Sequence, residues 1–356
     1  MLIIGRIVTG LGVSGQLSTT VVLVQELSPS SIRGRVVSLL DAFTGIGGLF
    51  GVVLAYAVAP WLGWRTTYLA VCGFVLYTIV LHFTIPESPR WLTSIGRVEE
   101  ASQIIDKIER SHCVNPPCGD FQKEVVGFTS ALESPSSAAV KFGRFEQVVS
   151  TLRLWALWIV VALSSYALGI YVPTLISFNG YNMFARWETI VALCIAQVLG
   201  SLVAAAALDA YGTQRLLLSF TALAAVISIV LSYVPWSSVL VIVGSFLVTA
   251  LLAGCWSCVL AYSTGRCKSA YRGRGVGYAV GVGRLASVGG CYLYPHMFNV
   301  WVFSVPTLCW IFGGALAVVP LLLVQENVAN SFSWRSDTDL ESGTKLEQAP
   351  SSLPSS

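Results

Sequence analysis

Apolar residues run through this chain in long unbroken stretches, without the period of two of a half-buried strand or the one-sided stripe of a soluble helix. Nine stretches read as helices that cross a bilayer: Leu2–Val24, Val36–Trp61, Thr66–Ile85, Leu152–Ile176, Trp187–Leu208, Leu216–Val234, Trp236–Tyr262, Val276–Met297 and Val300–Val324. About 20 apolar residues suffice, because a helix rises about 1.5 Å per residue and the hydrocarbon core is about 30 Å thick. Pro235 alone separates the sixth stretch from the seventh, so that boundary is soft. Two large polar segments interrupt the pattern. The segment from Pro86 to Lys141 contains "VEEASQIIDKIER". Its Ala101, Ile104, Ile105 and Ile108 fall at helical spacing, which predicts a short amphipathic helix resting on the membrane domain. The tail after Gln325 is rich in Ser, Asp, Glu and Pro and reads as disordered.

Composition agrees with the pattern. The chain is 55% hydrophobic and only 11% charged, where a soluble protein carries about 25% charged residues. A net charge of +3 gives no reason to expect nucleic acid. Most of the nine cysteines lie in apolar runs and act as small hydrophobes. Cys113 and Cys118 sit in a polar loop without further Cys or His nearby, too little for a metal site. No Gly-rich phosphate loop of the Walker type is present, so an ATP-driven pump is unsupported. A channel would show a polar ring or re-entrant loop, and neither is seen. The expectation is a protein with no reaction to catalyse and no cofactor.

Charge placement sets the orientation. Of the 21 Lys and Arg residues, 17 fall in the odd-numbered connections and the tail. Arg65 and Arg186 stand in the intervening loops, and Arg6 and Arg284 lie inside spans. The positive-inside rule therefore puts the odd loops, the large central loop and the C-terminus in the cytoplasm. The N-terminus is then external, as if the chain started partway through a longer fold.

The two halves repeat. With an offset of 239 residues, Gly5 meets Gly244, Gly15 meets Gly254, Ser18 meets Ser257, Ser30 meets Ser269 and Gly51 meets Gly290. The triplet Arg33-Gly34-Arg35 meets Arg272-Gly273-Arg274. Internal repeats of this kind build many transporters. Spans one to three match spans seven to nine. Spans four to six find no counterpart, so a complete fold of six helices per half would need three more helices before Met1.

The motifs point the same way. "GRIVTGLGVSG" resembles a fourth helix of the major facilitator superfamily, in its sugar-porter and organic-ion-transporter branch. "ELSPSSIRGR" resembles the turn after that helix, "PESPRWL" the signature after helix six, and "DAYGTQR" the loop between helices eight and nine, with Thr213 and Gln214 in place of the usual basic pair. The resemblance implies an all-α polytopic membrane bundle of two pseudo-repeated halves, with about nine transmembrane helices here and twelve in the complete fold. Residues 1–85 would be family helices four to six and 86–151 the cytoplasmic loop. Residues 152–324 would be helices seven to twelve, and 325–356 the tail. The implied function is transport of small organic solutes, sugars or charged solutes, by alternating access. Proton coupling stays open and the membrane is unspecified. The rival is a transporter-like protein that no longer transports and serves as receptor or partner.

Candidate residues follow. Glu26, Arg33, Arg35, Glu87 and Arg90 in the first half, with Asp209, Arg215 and Arg272 in the second, stand at helix ends where ion pairs could hold the cytoplasmic side shut. The alternative is plain topogenic charge. The copy lacks one acid, since Gly265 stands opposite Glu26. Ionisable groups within a span are costly and are functional candidates. Asp41 lies about 9 Å beyond Arg35, and Arg284 about 15 Å beyond Arg274. By resemblance, Asp41 takes the place of a sugar-binding glutamine, and Arg284 that of an arginine of organic-ion carriers. The repeat projects Asp41 one turn from Arg284, so the two charges are expected to face each other across the cavity or each to meet a substrate group. Tyr166, Tyr171 and Gln197 are further candidates for lining it.

Overall fold

The computed structural model describes residues 2–28, 32–94, 96–111, 144–178, 187–233, 238–266, 272–304, 306–320 and 323, and these residues contain helices and no strand. The order is α1 (Leu2–Leu27), α2 (Arg33–Ala57), α3 (Ala59–Thr84), α4 (Pro89–Ser94), α5 (Val98–Ser111), α6 (Arg144–Phe178), α7 (Trp187–Tyr211), α8 (Thr213–Tyr233), α9 (Ser238–Arg266), α10 (Arg272–Asn299) and α11 (Pro306–Pro320). Each of the nine apolar stretches overlaps one long helix or, for the last, α11, and Val36–Trp61 also runs over Val58 into the start of α3. Seven of them are long and apolar enough to cross a membrane. α10 is 28 residues long, but Arg272, Arg274, Arg284 and its many glycines dilute its apolar character.

Several boundaries differ from the sequence pattern. α6 starts at Arg144, two turns before the apolar stretch, because a helix can continue past the hydrocarbon once it has begun. Only Val58 separates α2 from α3; the break expected near Trp61 is instead a kink inside α3 at Gly63 (φ 78°, ψ 160°). The α7–α8 turn is a single residue, Gly212, with φ 79°. Its N–H donates to the Leu208 carbonyl at 3.0 Å, a left-handed helix cap that a residue with a Cβ would strain. α5 buries Ala101 and Ile105 and exposes Glu99 and Glu100. The Cys113/Cys118 pair and the tail after Gln325 lie outside the described residues.

The internal repeat is visible in the helix starts. α2 begins at Arg33 and α10 at Arg272, separated by the same 239 residues as the motifs. The first three helices meet the rest mainly where α2 runs antiparallel to α7. A Cβ at Gly34 would strike Leu208, and one at Gly45 would lie 3.0 Å from Val198. Each step up α2 is thus matched by a step down α7, and small residues on α2 let the two backbones approach. One apolar cluster spans this seam, joining Val21 of α1 and Val37 of α2 to Trp158, Leu208, Val259 and Val280. A second cluster, built around Leu168, Ala224, Val248, Phe312 and Leu316, draws on α6 to α11.

Candidate functional site

Polar side chains gather at three levels along the seam. At the Arg-Gly-Arg end, Arg35 Nε of α2 meets Asp209 Oδ2 of α7 at 2.8 Å, an ion pair joining the two sets of helices. Beside it, Arg33 Nε donates to the Ser28 carbonyl at 3.1 Å, which holds the α1–α2 turn. Glu26, at the end of α1 and buried, accepts a hydrogen bond from the Ser88 hydroxyl just before α4. Glu87 and Arg215 are exposed. The side chains of Arg90 and Arg272 lie outside the described residues.

The second level is Asp41, about 9 Å further along α2. Its carboxylate is buried, with 8% of the residue exposed. Asp41 Oδ2 accepts hydrogen bonds from Ser201 of α7 at 3.0 Å and Ser257 of α9 at 2.6 Å. Both donors come from across the seam, and among the described residues no cation pairs with it. Burying a carboxylate costs several kcal/mol unless its oxygens are satisfied, and two hydroxyl donors offset part of that.

The third level is Arg284 of α10. Its Nη1 donates to the Tyr166 hydroxyl of α6 at 2.9 Å, and its guanidinium carbon stands 5.8 Å from the Trp256 ring of α9. Its Nε is buried with no hydrogen-bond partner among the described residues. Trp256 is itself held edge-on by Trp158 (5.4 Å) and Tyr166 (6.3 Å). Trp158 donates from its indole to Ser263 at 2.7 Å. The result is a guanidinium whose buried Nε has no hydrogen-bond partner among the described residues, set against aromatic faces.

The two intramembrane charges do not pair with each other. Asp41 takes its hydrogen bonds from serines and Arg284 gives its own to a tyrosine. Adjacent residues of that helix, Trp256 and Ser257, each touch one charge. Gln197 is half-buried on α7, and the side chain of Tyr171 lies outside the described residues. The partners that sequence reasoning did not single out are Ser201, Trp158 and Trp256. Hydroxyls and rings are ordinary inside spans, so nothing local marks them. Ser257 did carry a signal, its repeat match with Ser18.

Residues 1–291 match the family described as Major Facilitator Superfamily. This chain belongs to that superfamily. Among relatives in the superfamily, the niacin transporter of Acinetobacter baylyi is 28% identical over 292 residues, 82% of this chain and 65% of that protein. The benzoate transport protein of the same species is 25% identical over 331 residues, 90% of this chain and 68% of that protein. A solved structure of a proton:xylose symporter bound to 6-bromo-6-deoxy-D-glucose superposes with a TM-score of 0.70 at 20% identity, covering 86% of this chain and 66% of that one. The chain thus spans about two thirds of the length of these superfamily members, and its place among them makes it an integral multi-pass membrane protein.

Proposed function

We propose that this chain forms the larger part of a transporter that moves small organic anions by alternating access, with aromatic monocarboxylates the best chemical fit. The observation that supports it is the Arg284 site. A guanidinium offers paired N–H donors that match a carboxylate, and here Nε has no partner among the described residues. Trp256 and Tyr166 add aromatic faces that can hold a flat ring by offset or edge contact. Niacin and benzoate, named for two relatives, are both aromatic carboxylic acids. A sugar offers hydroxyls instead and makes poorer use of a fixed positive charge.

In this reading the Arg-Gly-Arg end faces the cytoplasm, as the distribution of Lys and Arg requires. Arg35 and Asp209 form the inner gate across the seam, supported by Glu26, Arg33, Glu87, Arg90, Arg215 and Arg272 around it. The structure is then closed on the cytoplasmic side. Rocking the two sets of helices apart breaks that pair and uncovers Arg284 from within.

The test is uptake of radiolabelled nicotinate, benzoate and D-xylose by cells expressing the protein, with Arg284→Gln alongside. Saturable uptake of the aromatic acids, lost in the variant at unchanged expression, is expected. D-xylose as the better substrate, unaffected by Arg284→Gln, would defeat the proposal.

A further inference from the structure

Resting on the reading of Arg284 as the anion site, we infer that Ser165 is its selectivity residue. Its hydroxyl donates to an acceptor in the aromatic ring of the solute, so that the carrier prefers pyridine carboxylates to their carbocyclic counterparts. Hydroxyls inside the spans of this protein mostly turn back on their own helix. Thr221, Ser228, Thr249, Ser263, Thr264 and Ser287 each donate to a carbonyl three or four residues earlier. Ser165 does not. Its Oγ is buried and has no hydrogen-bond partner among the described residues. A buried hydroxyl in that state is costly and calls for a ligand or a water. Ser38, Ser164 and Ser245 also lack a partner there, but their places differ. Ser38 is on α2 and Ser245 on α9. Ser164 shares a stripe of α6 with Leu157, Val161 and Leu168, which are buried in the apolar clusters.

Helix periodicity puts Ser165 on the side of α6 that carries the site. It follows Trp158 by two turns, hence shares its side of the helix, and it precedes Tyr166. Trp158 meets Trp256 of α9 edge-on at 5.4 Å, and Tyr166 takes the hydrogen bond of Arg284. The level of Ser165 follows from the packing of α6 on α10. A Cβ at Gly283 would strike Trp158, and one at Gly290 would strike the Leu163 carbonyl, with the Ala167 nitrogen next. The two helices therefore climb in step. Arg284 is level with the residue after Trp158, and Ser165 stands about six residues, or about 9 Å, further along. The arginine side chain covers part of that distance, since it reaches the Tyr166 hydroxyl. A six-membered ring fills the rest. With its carboxylate on the guanidinium and its face against Trp256 or Tyr166, its far edge comes to Ser165. A ring nitrogen there accepts the hydroxyl proton. A C–H in its place leaves the hydroxyl buried and unpaired, and a site built around a hydrogen bond rejects the analogue that lacks it.

The experiment measures uptake of radiolabelled nicotinate and benzoate by cells expressing the protein, with Ser165→Ala, Ser165→Thr and Arg284→Gln at matched expression. Wild type is expected to take nicotinate with a KM about three- to tenfold below that for benzoate, the worth of one neutral hydrogen bond. Ser165→Ala should raise the nicotinate KM to the benzoate value without weakening benzoate. Ser165→Thr keeps the hydroxyl and should keep the preference. Picolinate, whose nitrogen adjoins the carboxylate, should compete no better than benzoate. Equal KM values for nicotinate and benzoate in wild type overturn the inference, as does a preference that survives Ser165→Ala, or picolinate competing as well as nicotinate. The anion site still stands after any of these results if Arg284→Gln abolishes both uptakes. Thermal stabilisation of the purified protein by each acid ranks them without transport. A ranking there that Ser165→Ala leaves unchanged overturns the inference even if the variant moves no solute. Uptake of neither acid, or uptake indifferent to Arg284→Gln, defeats the anion-site reading and the role of Ser165 with it.

Discussion

Gly15 in α1 and Gly254 in α9 hold equivalent places in the internal repeat, yet their surroundings differ. A Cβ added at Gly254 would come within 3.0 Å of the Phe220 ring, while one at Gly15 would meet nothing within 4 Å. The same holds for Gly244, packed on Leu231, against Gly5, and for Gly290, whose added Cβ would lie 2.6 Å from the Leu163 carbonyl, against Gly51. The apolar window of α9 is 44% buried and that of α1 is 6% buried. Both regions carry glycines where a neighbouring helix can approach closely. In the second region α6 and α8 occupy those places; at Gly5 and Gly15 of α1 and Gly51 of α2 an added Cβ would meet nothing within 4 Å among the described residues. The lesson is that a glycine pattern marks a possible contact, and only a neighbour turns it into packing energy.

The largest expected effect tests the weight of the packed region. Trp158 is buried, with 1% exposure, and Trp61 is 86% exposed. Trp158→Ala should destabilise by about 3–5 kcal/mol, and Trp61→Ala by under about 0.5 kcal/mol. Thermal unfolding in detergent measures both. Equal losses would mean that the two regions are packed alike.

Next comes the glycine contrast itself. Gly290→Val drives a side chain into the α6 backbone and should cost about 1–3 kcal/mol or more, seen as loss of monodisperse protein on size exclusion. Gly51→Val should leave the elution profile unchanged. A matching loss at Gly51 would show that α2 has a partner there in the membrane.

A hydroxyl pair sharpens the comparison further. Ser257 donates across the seam to Asp41, whereas its repeat mate Ser18 bonds the Gly15 carbonyl of its own helix at 3.0 Å. A hydrogen bond to a charged group contributes about 1.5–3 kcal/mol. Ser257→Ala should lower the unfolding midpoint measurably, more so together with Ser201→Ala, and Ser18→Ala should not.

The smallest effect belongs to the proposed gate. Arg35 pairs with Asp209, with side-chain exposures of 49% and 22%, while its repeat mate Arg274 is exposed. A pair so accessible contributes about 0.2–1 kcal/mol. Arg35→Ala should raise cytoplasmic cysteine labelling at cavity positions a few-fold, and Arg274→Ala should not. If the double substitution Arg35→Ala with Asp209→Ala behaves as the sum of the singles, the pair carries no coupling.

Much was legible in the sequence. Twenty-residue apolar runs leave the backbone no partner in lipid except itself, so helices follow from composition alone. The repeat of Arg-Gly-Arg marked the boundaries where α2 and α10 begin, just before the apolar runs from Val36 and Val276, and the scarcity of charge made Asp41 and Arg284 stand out, because an ionised group in a span needs a reason. The partners of those charges were not legible. Whether Asp41 meets Arg284 or two serines depends on how the helices around it are turned, and a helix that is apolar all round has no moment to fix its rotation. That rotation is decided by contacts such as Gly200 against the Ala250 carbonyl and Gly283 against Trp158. Those contacts join residues far apart in the chain, and a serine or tryptophan in a span reads alike whether it faces lipid, a neighbour or a buried acid. The sequence by itself therefore determined the helices, their repeat and the charges worth watching. The tertiary structure decided how the helices are turned, and hence that Asp41 is held by hydroxyls from across the seam while Arg284 Nε finds no partner among the described residues.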